Sequence, residues 1–285
     1  MIPLDTARFT PYAIDTMATS PGTLFLVGTP IGNMEDITMR ALRVLREADL
    51  IAAEDTRHTG QLLARHQIRK PLVSYHEFNE ARRTPELLQK LQEGQKIALV
   101  SDAGMPTLSD PGTRLIRAVL QAQKPPSCHP ELVEGSLSSG SGREIPRQAR
   151  NDKMQKPAAE IQPPIPIEVI PGPSAVTAAL AISGLAAGPF LFHGFLPHKA
   201  TQRRKVLSDL ASLPCALVFF ESPYRLQKSL ADMREILGDR HAVIARELTK
   251  KFEEILRDTL GALLKSLENR RVKGEITLVI EGRTE

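Results

Sequence analysis

From Thr23 onward, short apolar runs of strand length alternate with amphipathic stretches of helical period, and this alternation limits the fold more than any other feature. A strand, a helix and a second strand bring the chain back parallel to where it began. Repetition therefore builds a largely parallel sheet covered by helices. Strands are expected near 23–28, 49–53, 71–74, 96–101 and 165–170, with helices near 38–47, 57–66, 79–93 and 111–122. A helix over 174–183 is expected to close this unit. The breakers Gly184, Gly188 and Pro189 then mark a boundary near 187. Beyond it FLFHGF, CALVFF, HAVIAREL, FEEILRD and GEITLVIEG read as strands, with helices near 200–212, 222–237 and 259–270. Several of these strands follow one another closely, so the second sheet is expected to be mixed. The fold class is α/β, with an N-terminal domain over 21–186 and a C-terminal domain over 187–285.

Two segments stand outside the rhythm. Residues 1–20 carry no pattern and read as a disordered extension. Lys124–Pro164 holds seven of the 22 prolines and the Ser/Gly run GSLSSGSG, so it reads as a flexible insertion. No apolar run approaches the roughly 20 residues of a membrane helix, and the first residues lack the basic and apolar pattern of a secretory leader. With Cys128 and Cys215 as its only cysteines, the chain has no disulfide framework and fits a reducing cytoplasm. A net charge of +4 is mild. The basic residues are nevertheless clustered, as in Arg203–Arg204–Lys205, Lys250–Lys251 and Arg270–Arg271–Lys273, and such clusters suit either solvated helix faces or a phosphate-binding rim.

Three strands of the first unit end in unusual loops. Gly28-Thr-Pro-Ile-Gly-Asn33 puts a glycine-bearing turn at the carboxyl end of a parallel strand, where α/β proteins place ligands, although an ordinary connection uses the same residues. It is neither a Walker loop nor a dinucleotide fingerprint. The second loop, Ser101 to Gly112, carries two aspartates, two glycines and two prolines. Asp110, before Pro111, reads as the N-cap of the next helix, which leaves Asp102 as the functional candidate. In the third, Pro171-Gly-Pro-Ser-Ala175, the Ser174 hydroxyl can cap a helix or bind a ligand. Loops at the ends of three strands of one sheet converge on one cleft.

Taken in order, GTPIGN, AEDTRHT, SYHEFNE, SDAGMPTLSDPG, PGPSA, GFLP, FFESPYR, RELTKKFEE and GEITLVIEG resemble the motifs of the ribosomal RNA small subunit methyltransferase I family, a branch of the tetrapyrrole methylase superfamily. The resemblance spans residues 22–282 apart from the insertion. It implies a homodimer of two-domain subunits with a cofactor cleft between the domains. The implied reaction is 2′-O-methylation of a cytidine ribose in the decoding region of 16S ribosomal RNA, in the small ribosomal subunit, with S-adenosylmethionine as donor. By position, the cofactor would contact Pro30, then Asp102, Ala103, Gly104, Met105 and Pro106, then Ser174 and Ala175, with Phe220 and Glu221 completing the pocket. Met105 stands where the family most often has threonine.

Methyl transfer is an in-line displacement that needs no metal, and a base near the weakly acidic 2′-hydroxyl assists it. Two readings of Ala53-Glu-Asp-Thr-Arg-His-Thr59 remain open. In one, Asp55 or Thr56 caps the next helix and Arg57 pairs with a carboxylate. In the other, Glu54 or Asp55 acts near the ribose, Arg57 holds a phosphate and His58 lies close by. His76, Tyr224, Arg225, Glu247 and Lys250 are candidates for the RNA-binding rim, while Asn79 equally suits a helix cap. A tetrapyrrole or a modified protein histidine as methyl acceptor, and a non-catalytic RNA-binding relative, are the competing readings.

Overall fold

The computed structural model describes residues 21–123, 163–185 and 188–283. The expected N-terminal extension, most of the 124–164 insertion and the boundary at 186–187 lie outside the described residues. The first sheet contains β1 (Leu24–Val27), β2 (Leu50–Ala53), β3 (Leu72–Ser74), β4 (Ile97–Val100) and β5 (Ile167–Ile170) in the order β3-β2-β4-β1-β5. Every pairing in it is parallel. Successive side chains point to opposite faces. Phe25, Val27, Ile51 and Val100 meet α1 (Met39–Glu47) and α2 (Thr56–Arg65), whereas Leu24, Leu26, Ala52 and Leu99 meet α3 (Glu80–Gln92) and α4 (Thr113–Ala122). The connections leaving the neighbouring strands β1 and β4 therefore pass to opposite faces, which opens a crevice at their carboxyl ends.

The second sheet contains β6 (Phe190–Phe195), β7 (Ala216–Glu221), β8 (His241–Arg246), β9 (Glu254–Thr259) and β10 (Ile276–Ile280) in the order β6-β7-β10-β8-β9. It is mixed: β6 and β7 are parallel, and β10 enters antiparallel between β7 and β8. That insertion puts the start of β10 beside the ends of its two neighbours. One face is covered by α6 (Ala200–Leu210), α7 (Leu226–Leu237) and α8 (Leu260–Ser266), around Leu217, Phe219, Ile244 and Leu278.

The opposite face of this sheet is met by α5 (Ala175–Ser183), and here the structure differs from expectation. Val176, Ala179 and Leu180 of α5 pack on Val218, Val243 and Val279 of the second sheet. Rather than only closing the first unit, this helix joins the two. It contains no charged residue, and its small alanines let it approach a flat sheet closely. Ile31, after β1, and Leu248, after β8, belong to the same apolar cluster, so the loops of both units are anchored to this joint. No helix among the described residues is long and apolar enough to cross a membrane.

Candidate active site

The three loops of the first sheet are locked together by their backbones. Thr29 and Gly104 exchange N–H···O bonds of 2.9 and 3.1 Å, and the Thr29 hydroxyl donates to the carbonyls of Ser101 (3.2 Å) and Gly104 (3.3 Å). Gly28 and Gly172 pack backbone to backbone. A Cβ on Gly28 would lie 2.7 Å from Gly172 Cα, and one on Gly172 would lie 2.8 Å from Gly28 Cα. Both positions are closed to any side chain.

The loop 247–250 closes the other side. Thr249 Oγ1 accepts from the Asn33 N–H at 3.0 Å, while Lys250 Nζ bridges Glu247 and Glu275 at 3.0 Å each. These contacts fix the geometry of a cavity of about 270 Å³ where the two sheets meet. Its floor is Asp102, Ala103, Gly104, Met105, Ser174 and Ala175 from the first unit. Phe220 and Glu221 at the end of β7 face them, together with Ala245, Leu248 and Glu275–Thr277. Phe220 packs edge-on against Phe192, with ring centroids 4.9 Å apart, and is flanked by Phe195 at 5.6 Å.

Of the residues carried over by resemblance, this cavity brings together all but Pro30 and Pro106 on the cofactor side. Pro106 is buried beneath the loop. Pro30 lines an adjoining cavity of about 250 Å³ with His58 and Lys250, and the two cavities share Ile31, Asp102, Ala103 and Glu275. Ser174 stands at the N-cap position of α5, yet its hydroxyl makes no capping bond, so it is free for the cavity. Asn79 likewise caps nothing. Its amide instead ties His76 N–H (2.9 Å) to the Ser74 carbonyl (3.1 Å) and locks the turn after β3.

The AEDTRHT segment resolves into two roles. Asp55 caps α2, accepting the Arg57 N–H at 2.8 Å, and its carboxylate pairs with the Arg57 guanidinium, also at 2.8 Å. This hydrogen bonding holds the Asp55 carboxyl well below the usual carboxylate range. Arg57 itself is 88% exposed, on the rim. Glu54 points the other way, into the cavity. Its carboxylate accepts the Asp102 N–H at 3.3 Å while Asp102 accepts the Asp55 N–H at 3.0 Å, so the two loops hold each other. Burial raises the Glu54 carboxyl above its ordinary range, against the lowering effect of the Asp102 N–H and of nearby His76.

The expectation that Asp110 caps α4 is corrected. That helix opens at Thr113 with Gly112 as its N-cap at φ 131°. A side chain at Gly112 would meet Leu99 at 2.7 Å and Thr107 at 2.8 Å. Thr107 and Ser109 are both left-handed, at φ 73° and 69°. The loop thereby stores strain, and Asp110 turns back into the cavity beside Glu54. Burial, reinforced by the Glu54 charge, pushes the Asp110 carboxyl up to about 7.

Asp110 in the fold holds its proton more tightly than in the unfolded chain, where its value is near 3.8. The stability it contributes is therefore complete below about pH 4 and is lost as the pH rises through about 7. Asp110→Asn should melt roughly 2–6 °C above the parent at about pH 8, from about 1–2 kcal/mol after discounting for solvent screening, and close to it at about pH 4. Thermal melts at the two pH values check this, and a variant that melts lower at pH 8 would count against the buried acid.

The rim candidate Arg225 is engaged within the fold, through the pocket residue Glu221. Glu221 accepts from Ser222 N–H (2.7 Å), Arg225 (2.8 Å) and the Ser229 hydroxyl (2.5 Å). Arg225 also donates to the Leu196 carbonyl at 3.0 Å, so its guanidinium is held by Leu196 and Glu221 within the fold instead of presenting itself to a phosphate. Tyr224 beside it is 91% exposed. Ala245, Leu248, Glu275 and Asp110 were not readable as site residues in the sequence. Only the antiparallel seating of β10 and the reversed loop at 107–109 bring them in.

The sequence model of the family described as Tetrapyrrole (Corrin/Porphyrin) Methylases matches residues 23–131 and 154–264. The unmatched stretch between them falls inside the expected insertion. The chain is 42% identical over 262 residues to a Ribosomal RNA small subunit methyltransferase I of Thermotoga maritima, covering 92% of this chain and 99% of that protein. It is 43% identical to the protein of the same name from Halalkalibacterium halodurans, covering 93% and 77%, and 42% identical to that of Escherichia coli O157:H7, covering 92% and 79%. Among solved structures, diphthine synthase superposes with a TM-score of 0.60 at 16% identity, covering 91% of this chain and 90% of the other. Cobalt precorrin-4 methyltransferase superposes at 0.58 and 17%, covering 91% and 94%; these two likenesses speak to the fold alone. The convergent loops, the joined sheets and the sequence relatives agree: the chain belongs to the tetrapyrrole methylases and, within them, to the ribosomal RNA small subunit methyltransferase I family.

Proposed function

We propose that this protein transfers a methyl group from S-adenosylmethionine to the 2′-oxygen of a cytidine ribose in the decoding region of 16S ribosomal RNA. The observation that carries the reading is the placement of the Glu54 and Asp110 carboxyls in a part-apolar cavity whose rim is open to RNA at Arg57 and His58. The cavity suits the cofactor chemically. Phe220, Met105, Leu248 and Ile276 offer apolar and aromatic surface for a purine, while Asp102 and Glu275 offer carboxylates to cationic groups of the cofactor such as its α-ammonium. A solved relative in fold, a uroporphyrin-III C-methyl transferase from Thermus thermophilus at TM-score 0.55, was determined in complex with S-adenyl homocysteine.

When bound, S-adenosylmethionine supplies a methyl group on a sulfonium whose sulfur departs with the bonding electron pair. Glu54, raised by burial, accepts the 2′-hydroxyl proton as the new carbon–oxygen bond forms. Asp110, protonated for much of the time near neutrality, keeps a second negative charge away from Glu54. The interlocked 28–33, 101–112 and 171–175 loops align the cofactor, and closure against 247–250 excludes water. Arg57, fixed by Asp55, holds a backbone phosphate, and His58 and His76 border the ribose.

The protein works in the cytoplasm on the small ribosomal subunit and as a homodimer. The dimer is supported by apolar side chains exposed on the two sheet edges, Val169 of β5 and Phe190 of β6. With labelled cofactor and small subunits that lack the modification, label should enter 16S ribosomal RNA. Label in ribosomal protein, in a tetrapyrrole or in no acceptor would refute the reading.

A further inference from the structure

The segment Arg270–Gly274, which leads into β10, forms a ridge with a groove on each side. One groove, of about 420 Å³, lies between the ridge and Tyr224, Gln227 and Lys228 at the start of α7. The other, of about 330 Å³, lies between the ridge and Arg246, Glu247 and Phe252. The charges here are unevenly satisfied. Arg270 and Arg246 share Glu254, at 2.7 and 2.9 Å. Arg271, Lys273 and Lys228 are exposed and form no ion pair among the described residues. An exposed ring stands at the outer end of each groove, Tyr224 at 91% and Phe252 at 66%, and the Lys251 ammonium lies 5.6 Å from the Phe252 ring centre.

Large exposed rings beside unpaired cations suit a ligand that brings both π-faces and phosphates. Single-stranded nucleic acid is that ligand, because its unstacked bases can lie on aromatic rings while its backbone meets Arg and Lys. The ridge also runs directly into the cavity. Glu275 and Ile276, the next residues, line it, and three extended residues span only about 10 Å. Gly274 is seated on Glu247, where a Cβ would lie 2.4 Å from Glu247 Cγ, so the ridge is held in register with the 247–250 loop.

We propose that the grooves flanking Arg270–Gly274 bind single-stranded RNA adjoining the methylated nucleotide, with Arg271, Lys273 and Lys228 on phosphates and Tyr224 and Phe252 under bases. This rests on the ribosomal RNA reading of the cavity and extends it to the strand around the target.

The test is fluorescence anisotropy of a labelled single-stranded oligonucleotide carrying the decoding-region sequence, across a range of salt. Arg271→Ala with Lys273→Ala should weaken binding at least about tenfold and lower the salt slope by about 1.4, near 0.7 for each lost phosphate contact. Tyr224→Ala should weaken it about fivefold or more with the slope unchanged, since stacking releases no counterions. S-adenosylhomocysteine affinity should stay the same in all of these variants. Arg65→Ala with Arg69→Ala, at the far end of α2, is the control and should bind like the parent. Parental binding and slope in the ridge variant would overturn the proposal, as would an equal loss in the control. A ridge variant that keeps the oligonucleotide but loses assembled subunits would assign the grooves to a protein and overturn it too. A parent that binds RNA through the ridge yet methylates no ribosomal RNA would instead sink the reading of the cavity.

Discussion

Glu54→Gln lowers the single-turnover rate of methyl transfer by ~10²–10⁴-fold, the usual range for loss of a positioned general base, while S-adenosylhomocysteine affinity stays within about twofold of the parent. Glutamine keeps an oxygen able to accept the Asp102 N–H, so the link between the two loops survives and only the basic group is lost. Asp55 and Glu54 are adjacent in sequence but not equivalent. Asp55 is committed to the α2 N-cap and to Arg57, and its lowered proton affinity makes it a poor base. Asp55→Asn therefore acts on RNA affinity, through a released Arg57, more than on turnover. A Glu54→Gln enzyme within about threefold of the parental rate would remove Glu54 from the chemistry.

Gly172→Ala is the second large effect, and it acts on the frame instead of on the chemistry. Its Cβ would lie 2.8 and 2.9 Å from Gly28 Cα and carbonyl carbon, backbone atoms with no flexible side chain to yield. Gly28 also donates its N–H to Ile170 at 3.0 Å, so the strand ends cannot part without breaking the sheet there. Overpacking of this kind costs about 1–3 kcal/mol, or roughly 2–10 °C in melting temperature for a chain of this size. Displacement of the 28–33 loop from the 171–175 loop should also weaken S-adenosylhomocysteine binding at least about tenfold, since alignment depends on sub-ångström placement. Gly188→Ala, with nothing among the described residues within 4 Å of its added methyl, is the control and should be neutral in both measurements. Parental stability and cofactor affinity in Gly172→Ala would show that the close approach of the loops is not required.

Most of the architecture was legible because each element announces itself locally. The apolar runs of β1, β4, β7 and β10 and the amphipathic stretches between them place strands and helices to within a few residues. The glycine and proline loops after β1, β4 and β5 mark where a ligand sits in a parallel sheet. What stayed hidden depends on contacts distant in sequence. The carboxyl of Asp110 faces the cavity across a turn in which Thr107 and Ser109 take left-handed conformations that their residue types do not announce. Glu275 and Thr277 reach the cavity because β10 enters antiparallel between β7 and β8, which no local pattern discloses. Arg225 looked like a free phosphate ligand until its neighbours Glu221 and Leu196 were known. The specific methyl acceptor came from the resemblance, not from any single motif.

The central claim is that this cavity methylates the 2′-oxygen of a cytidine. A methyl group there leaves the ribose without the hydroxyl that attacks the neighbouring phosphate in alkali. After reaction of the protein with labelled S-adenosylmethionine and unmodified small subunits, alkaline hydrolysis of the 16S ribosomal RNA should yield the label in one alkali-stable dinucleotide beginning with cytidine. Label recovered in mononucleotides, as a base methyl group gives, or in a stable dinucleotide beginning with another nucleoside, would contradict it.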